Sequence, residues 1–239
     1  SGCSKDLIYF PKSIQEEVEK TLDNGYEGII VCVNQNSQSK LYAAGWNNRE
    51  DQIPADSHSL FKIASISKLY IAAATVKLIH DEQLSLNQTL AELIPEVSNR
   101  IEYADEITLE MMLQHRSGIP EFIYDPEFVN SDPKENYLET ANLIFYQDAD
   151  FKPGKKYRYS NTNYLLIGEI LDRTLGYSHH NYIKSEILEP LHLENTYNLL
   201  SEVDSNRVMS GYYVGYDEDL KMNDYTRPGG SMIATAEDV

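Results

Sequence analysis

The sequence predicts an α+β fold, because an early pair of strand-like runs is followed by a long region of helical pattern. The runs 26 to 33 and 40 to 46 flank NQNSQS, whose Asn and Ser residues favour a turn, so an antiparallel hairpin is expected. From residue 65 to about residue 200 helical patterns dominate. The 239 residues, 41% of them hydrophobic, are enough for one large domain or two entwined ones.

Helix-start and helix-stop signals place the individual helices. Ser13 and Glu16 have capping-box spacing, which predicts an amphipathic helix over 13 to 24. After the hairpin, the apolar segment 65 to 80 is expected to form a helix that is buried nearly all round. Thr108 begins a short helix that ends near Gly118. Helical pattern from Asn161 to Leu175 stops at Gly176.

The charge balance excludes several classes of partner. The formal net charge is -18 and the pI is about 4.6, so the chain repels phosphate backbones and nucleic acid is not expected as a partner. The longest apolar run, 69 to 79, is interrupted by Lys77 and is too short to predict a membrane helix.

The two cysteines give no metal framework, since Cys3 and Cys32 do not form a Cys-x-x-Cys pair. Cys32 lies in the strand-like run GIIVCV, where a buried thiol acts as a small hydrophobe. The opening SGCS resembles the end of a bacterial lipoprotein signal, in which Cys3 would carry the lipid. The alternatives are an incidental cysteine and a residue left by cloning. No cofactor and no metal is predicted.

Ser-x-x-Lys motifs occur at several places, among them 37 to 40, 65 to 68 and 131 to 134. The first falls in the hairpin turn and the third spans a proline, so neither has an apolar wall. Ser65 and Lys68 instead lie in the first turn of the apolar helix, where residues three apart share a face. Burial disfavours the charged form of a lysine, and a lysine that keeps its charge stabilises a nearby anion. The alternative is an N-cap serine beside a lysine that reaches to the surface.

A second pair of polar residues stands at the start of another apolar helix, in KKYRYSNTNYLLIGEIL. Tyr159 and Asn161 would project from the entrance of that helix. A tyrosine held near Lys68 could lose its proton readily and act as the base for Ser65. The alternative is that Tyr159 is half-buried packing and Asn161 an N-cap.

Five ordered motifs resemble those of the serine β-lactamase-like hydrolases, which include class C β-lactamases, DD-peptidases and esterases. They are FKIASISK, MLQHRSGIP, FKPGKKYRYSN, EPLHLENT and PGGSMIAT. The resemblance implies a β-lactamase/transpeptidase-like fold, with an antiparallel sheet, flanking helices and a helical domain. It also implies an acyl-enzyme at Ser65, a proton-transfer pair of Lys68 and Tyr159, and a substrate contact from Asn161. His115 is interpreted as structural.

The resemblance is incomplete after residue 200. The family's third motif, on a C-terminal strand, has no match there, and TAEDV has the pattern of a helix start at the last residue, so a truncated chain is expected. The predicted organisation is a tether over 1 to 10, the first part of the α/β domain over 11 to 80, a mainly helical domain over 81 to 200, and a return segment over 201 to 239.

The leading hypothesis is therefore a serine hydrolase of a Gram-negative envelope, periplasmic or anchored through Cys3, secreted by a signal peptide that the chain does not contain. Its substrate would be a small molecule or a peptidoglycan peptide with an amide, β-lactam or ester carbonyl. Rival hypotheses are a penicillin-binding sensor or scaffold without turnover, an inactive fragment, and a structural envelope protein. His179 and His180 are expected in a solvated loop rather than at a metal.

Overall fold

The structure is a computed structural model, which describes residues 13–129, 136–212, 219–222 and 227–239. Cys3 and the tether over 1 to 10 lie outside the described residues, and so does the Ser-x-x-Lys motif at 131 to 134. The chain divides into two units. The first consists of Ser1–Phe61, Asp204–Met222 and Ala234–Val239, and the second of Lys62–Val203 and Asn223–Ile233. The four-part organisation drawn from the sequence stays a prediction.

The first unit is built on a helix and an antiparallel hairpin. Its elements are α1 (Ile14–Thr21), β1 (Gly28–Gln35), β2 (Gln38–Asn48) and β3 (Ile53–Pro54), with strand order β1-β2-β3. Ser13 caps α1 by accepting a hydrogen bond from the backbone N–H of Glu16 at 3.1 Å. At the hairpin turn, Asn36 and Ser37 have φ values of 53° and 61°, which is the left-handed pair that a two-residue type I′ turn requires. The predicted helix and hairpin are both present.

The second unit is mainly helical. Its helices are α2 (Ser67–His80), α3 (Leu90–Leu93), α4 (Leu109–Leu113), α5 (Pro126–Val129), α6 (Tyr137–Ala141), α7 (Asn161–Leu175) and α8 (His179–Ile183). Apolar side chains from these helices and their connections form its core, and among the largest fully buried ones are Ile71, Leu78, Leu90, Ile94, Ile107, Leu109, Met112, Ile119, Phe122, Ile144 and Leu166. No helix in the described ranges is long and apolar enough to cross a membrane.

Four short strands were not visible in the sequence. Besides β3, they are β4 (Phe61–Lys62), β5 (Thr196–Tyr197) and β6 (Ile233–Ala234), which form a sheet in the order β4-β6-β5. Each has two residues, too few for an alternating pattern to show. Of these strands, β4 is the one that bears on the site, because it leads into the turn that precedes α2.

Two helices, α2 and α7, position the candidate site. The bounds predicted for α7 are confirmed, and Gly176 ends it in the left-handed conformation with φ 73°. The expectation that α2 is buried nearly all round was wrong, because Leu69 is 68% exposed and Val76 is 57% exposed. The helix expected to reach Gly118 ends at Leu113 instead, since the chain turns at His115, where φ is 56°.

Candidate active site

A tight turn at the start of α2 presents Ser65. Ala64 has a φ of 46°, and the 3-10 turn Ala64–Ile66 runs directly into the helix. A left-handed residue other than glycine costs about 1 to 2 kcal/mol, so the surrounding contacts have to hold it. Ser67 supplies two of them, because its hydroxyl donates to Ala64 O at 2.6 Å and accepts from Met232 N at 3.1 Å. The turn leaves Ser65 exposed.

Lys68 lies one turn further on and is only 7% exposed. Its Nζ donates to Ser65 Oγ at 3.1 Å, to Asn161 Oδ1 at 2.8 Å and to the backbone O of Gly229 at 3.0 Å. An ammonium has three N–H groups, so each of them has an acceptor. Full hydrogen bonding is the condition under which a charged side chain is tolerated away from water.

Tyr159 is the second residue that contacts Ser65. Its hydroxyl donates to Ser65 Oγ at 2.8 Å, and its side chain is 41% exposed. Lys68 Nζ is 5.1 Å from the centroid of the phenol ring, within the range of a cation–π contact. The serine oxygen is therefore hydrogen-bonded to both a buried cation and a phenol oxygen.

His115 supports the ring of Tyr159 and does not contact Ser65 in any hydrogen bond of the described residues. The two rings stack with centroids 4.3 Å apart and an interplanar angle of 29°. His115 Nδ1 accepts from the backbone N–H of Ser160 at 3.2 Å. Burial, and next the charge of Lys68, lower the pKa of His115 below its ordinary value. The imidazole is accordingly neutral at neutral pH. The sequence suggested a structural role without indicating this stacking.

Asn161 is the first residue of α7, and its amide faces two ways. Oδ1 accepts from Lys68, while Nδ2 donates to Glu121 Oε2 at 3.1 Å. The same carboxylate oxygen accepts from the backbone N–H of Asn161 at 2.6 Å. Glu121 was missed in the sequence, although it directly follows the motif MLQHRSGIP. A carboxylate next to a recognised motif is the only signal that pointed to it.

Gly229 was also missed as a contact of Lys68, although it lies in the motif PGGSMIAT. A Cβ at this position would lie 3.3 Å from both Cε and Nζ of Lys68 and 3.2 Å from Cβ of Tyr164. These distances are shorter than comfortable van der Waals contact. Glycine is thus suited to this position because it lets the backbone carbonyl reach the buried ammonium.

The structure brings together all four residues that the sequence singled out, namely Ser65, Lys68, Tyr159 and Asn161. The motif at 37 to 40 belongs to the hairpin of the first unit, where Ser37 and Lys40 are both exposed. Over the described ranges, no group of three or more His, Cys, Asp or Glu residues could hold a metal ion.

Comparison with known proteins identifies the family. The family model described as Beta-lactamase matches residues 13–239. This chain belongs to the Beta-lactamase family. It has the β-lactamase/transpeptidase-like fold, with helices and antiparallel sheets, as the sequence predicted. The resemblance carried by the five motifs is confirmed at the level of the family.

Three relatives illustrate the similarity. The chain is 26% identical over 236 residues to Protein flp of Staphylococcus aureus strain NCTC 8325 / PS 47, covering 95% of this chain and 47% of that protein. It is 24% identical over 197 residues to a putative D-alanyl-D-alanine carboxypeptidase of Salmonella paratyphi A, covering 75% of this chain and 45% of that protein. The chain spans about half the length of these curated relatives. A D-amino acid amidase from Ochrobactrum anthropi SV3 superposes with a TM-score of 0.81 at 24% identity, covering 94% of this chain and 66% of the amidase.

Proposed function

We propose that this protein is a serine hydrolase that acts through an acyl-enzyme on an amide, β-lactam or ester carbonyl. The observation that carries the proposal is the surroundings of the exposed Ser65 Oγ, which lies 3.1 Å from Lys68 Nζ and 2.8 Å from the hydroxyl oxygen of Tyr159. A serine hydroxyl becomes a nucleophile when a neighbouring group can take its proton. The family to which the chain belongs supports the reaction class.

Acylation follows from this geometry in balanced steps. For the reaction, Tyr159 first releases its phenol proton to solvent, and Ser65 then donates its hydrogen bond to the phenolate. Ser65 Oγ bonds to the carbonyl carbon while its proton passes to this phenolate oxygen. The resulting tetrahedral anion collapses by breaking the bond to the leaving nitrogen or oxygen, which takes the proton back from Tyr159. Lys68 keeps its charge throughout and stabilises the negative charge that moves between Ser65 and Tyr159. The product is an ester of Ser65.

Deacylation uses the same groups with water in place of serine. Water attacks the ester carbon, Tyr159 takes the proton from water, and the proton returns to Ser65 Oγ as the ester bond breaks. We assign Asn161 to the substrate, because its amide lies beside Lys68 and has a planar donor and acceptor group at the edge of the site. In both half-reactions Tyr159 transfers the proton, and the charged Lys68 stabilises the anion beside it.

For the substrate, we propose a small molecule or a short peptide with an amide bond next to a D-amino acid. The support comes from the names of relatives, a D-amino acid amidase and a putative D-alanyl-D-alanine carboxypeptidase. β-Lactams and esters are the competing substrate types. Steady-state hydrolysis of a D-amino acid amide, a D-alanyl-D-alanine peptide, a cephalosporin and a p-nitrophenyl ester would rank them.

The test of the nucleophile is Ser65→Ala in the full-length protein. Covalent labelling by a fluorescent penicillin or a fluorophosphonate is expected to disappear. The free energy of unfolding should fall by no more than about 0.5 to 1.5 kcal/mol, since only the hydrogen bonds of one exposed hydroxyl are lost. Ser37→Ala is the matched control and should label like the wild type. Undiminished labelling of Ser65→Ala would refute the assignment.

Turnover separates an enzyme from a sensor. A penicillin-binding sensor would be labelled at Ser65 once and would release no further product, whereas the proposed hydrolase releases many equivalents of product for each equivalent of protein. Measuring the burst and the steady state with a chromogenic cephalosporin or ester distinguishes the two outcomes.

We further propose a location in the bacterial cell envelope, with Cys3 as the attachment point for lipid. The support is the SGCS opening and the similarity to a putative D-alanyl-D-alanine carboxypeptidase. Fatty-acid labelling of the native protein, with Cys3→Ser as the comparison, tests the lipid. Equal labelling of both forms would refute attachment at Cys3.

A further inference from the structure

Glu121 joins two segments of the second unit through one carboxylate. It precedes the 3-10 turn Phe122–Tyr124, and its Oε1 accepts from the backbone N–H of Ile123 at 3.2 Å. Its Oε2 accepts both the backbone N–H and the side-chain Nδ2 of Asn161, at 2.6 Å and 3.1 Å. Both oxygens are thus used, one within its own turn and the other at the start of α7.

The contact with Glu121 decides which way the amide of Asn161 faces. An ionised carboxylate can only accept hydrogen bonds, and an ammonium can only donate them. Nδ2 must therefore face Glu121, and Oδ1 must face Lys68, where it accepts at 2.8 Å. An Asn side chain has nearly the same shape after a half-turn of its amide. Without the carboxylate, Nδ2 would have no acceptor in this pair of contacts, and only the ammonium would favour the orientation with Oδ1 toward it.

The same carboxylate has a second, purely structural contact. Ser160, the N-cap residue of the 15-residue helix α7, makes no side-chain capping hydrogen bond, and Glu121 accepts the first backbone N–H of the helix in its place. A negative charge at a helix N-terminus stabilises the helix by about 0.3 to 1 kcal/mol. Any loss of activity on removing Glu121 has to be distinguished from this capping effect.

We infer that Glu121 is a positioning residue, which orients the amide of Asn161 and thereby holds Lys68 Nζ against Ser65 Oγ. The inference rests on the proposed function, because it assigns no reacting atom to Glu121. Its action passes through the Asn161 side chain, whereas its capping action passes through the Asn161 backbone. This separation gives a clean experiment.

The experiment is a double-mutant cycle of Glu121→Leu and Asn161→Ala in the full-length protein, measured as the rate of acylation by a fluorescent penicillin. In the otherwise wild-type protein, Glu121→Leu is expected to lower this rate by about 10- to 100-fold, the size expected for a lost hydrogen bond to a charged group. In the Asn161→Ala background, where no amide is left to orient, the same substitution should lower the rate less than about twofold.

Stability is expected to respond differently from the acylation rate. If Glu121 acted only as a helix cap, the acylation rate would not depend on whether the Asn161 side chain is present. The backbone N–H of residue 161 remains after Asn161→Ala, so Glu121→Leu should lower the unfolding midpoint in denaturant in both backgrounds, and somewhat more in the wild type, where the bond to Nδ2 is lost as well. Asp125→Leu is the matched control, since Asp125 accepts from Glu127 N at 2.8 Å near the same turn. It should reproduce a local loss of stability with the acylation rate unchanged.

The outcomes are distinguishable. Equal acylation rates for the wild type and Glu121→Leu, or an equal loss in both backgrounds, would overturn the inference while leaving the proposed function intact. A wild type that is never labelled would instead overturn the proposed function. Glu121→Gln serves if Glu121→Leu does not fold. The amide oxygen that this variant carries at position 121 can still accept from Asn161. The acylation rate of Glu121→Gln should therefore lie below that of the wild type and above any rate measured for Glu121→Leu.

Discussion

Two polar clusters lie within the helical unit, and they differ in how their buried atoms are paired. The Ser65 cluster consists of Ser65, Lys68, Tyr159 and Asn161. The histidine cluster consists of His179, His180, Tyr182 and Asn198. In the Ser65 cluster the buried ammonium has an acceptor for each of its three N–H groups. In the histidine cluster four buried atoms have no hydrogen-bond partner among the described residues: His179 Nε2, His180 Nε2, Tyr182 Oη and Asn198 Oδ1.

Access also differs between the clusters. Ser65 is exposed and Tyr159 is 41% exposed, so a substrate can reach the atoms that would react. His179 is fully buried, and its Nδ1 lies 2.6 Å from Asp172 Oδ1. A His–Asp pair is a familiar feature of catalytic sites, yet here the imidazole is closed off from solvent. The proposed site therefore rests on the exposed Ser65 beside a fully paired cation, and not on the burial and pairing of titratable groups alone.

The largest expected effects separate the two clusters by activity. Lys68→Ala and Tyr159→Phe should each lower the acylation rate by about 10² to 10⁴, the usual size of general acid–base assistance. Since the two residues act as a unit, the double variant should lose much less than the product of the two single effects. Stopped-flow labelling with a fluorescent penicillin measures all three rates.

The control for this prediction comes from the histidine cluster. Tyr182→Phe removes a buried hydroxyl without a partner among the described residues, so it should leave the acylation rate unchanged. A loss as large as that of Tyr159→Phe would mean that the two clusters are coupled. Fully multiplicative effects of Lys68→Ala and Tyr159→Phe would mean that these residues act in separate steps.

The sequence predicted those parts of the fold and site that depend on local pattern. The hairpin and α7 follow from turn residues, a helix stop and apolar spacing, and Ser65, Lys68, Tyr159 and Asn161 follow from motifs. That Ser65, Lys68 and Tyr159 catalyse and that Asn161 binds the substrate stays a prediction. Glu121 and Gly229 could not be assigned, because one acts on a segment 40 residues away and the other through its backbone carbonyl. Contacts of this kind depend on tertiary structure.

The histidine cluster gives the clearest error of sequence reasoning. His179 and His180 were expected in a solvated loop, but they begin α8, which Ser178 caps by accepting from His180 N at 3.4 Å. A Ser followed by two histidines also occurs in loops, so the local composition did not distinguish a loop from a helix start. Packing against α7, where Asp172 contacts His179, decides that the segment is helical and buried.

A pH-dependent loss of stability is expected from the histidine cluster. Burial, and next the charge of His179, lower the pKa of His180 to about 3. In the unfolded chain the pKa of the same imidazole is about 6.5. The unfolded state therefore takes up the proton first, and the stability that His180 contributes is complete above pH 6.5 and is lost as the pH falls toward 3.

Replacing this histidine should flatten the acid side of the stability profile. Between pH 7.5 and pH 5 the wild type should lose about 2 kcal/mol more unfolding free energy than His180→Phe, as measured by urea unfolding. Tyr182→Phe is the control, because a phenol does not titrate in this interval. Acylation at pH 7.5 should be the same in His180→Phe and the wild type. Parallel stability profiles would contradict the burial of an uncharged His180.

The smallest expected effect is that of Gly229→Ala, which tests how closely Lys68 has to be held. The added Cβ would lie 3.3 Å from Nζ and Cε of Lys68, and 3.2 Å from Cβ of Tyr164, so these neighbours must shift by a few tenths of an ångström. A weakened bond from Lys68 to the backbone O of residue 229 should slow acylation about tenfold, equivalent to about 1.4 kcal/mol. Gly211→Ala is the control, since a Cβ there meets nothing within 4 Å. If Gly229→Ala is acylated as fast as Gly211→Ala, the complete pairing of the ammonium is not what distinguishes the Ser65 cluster.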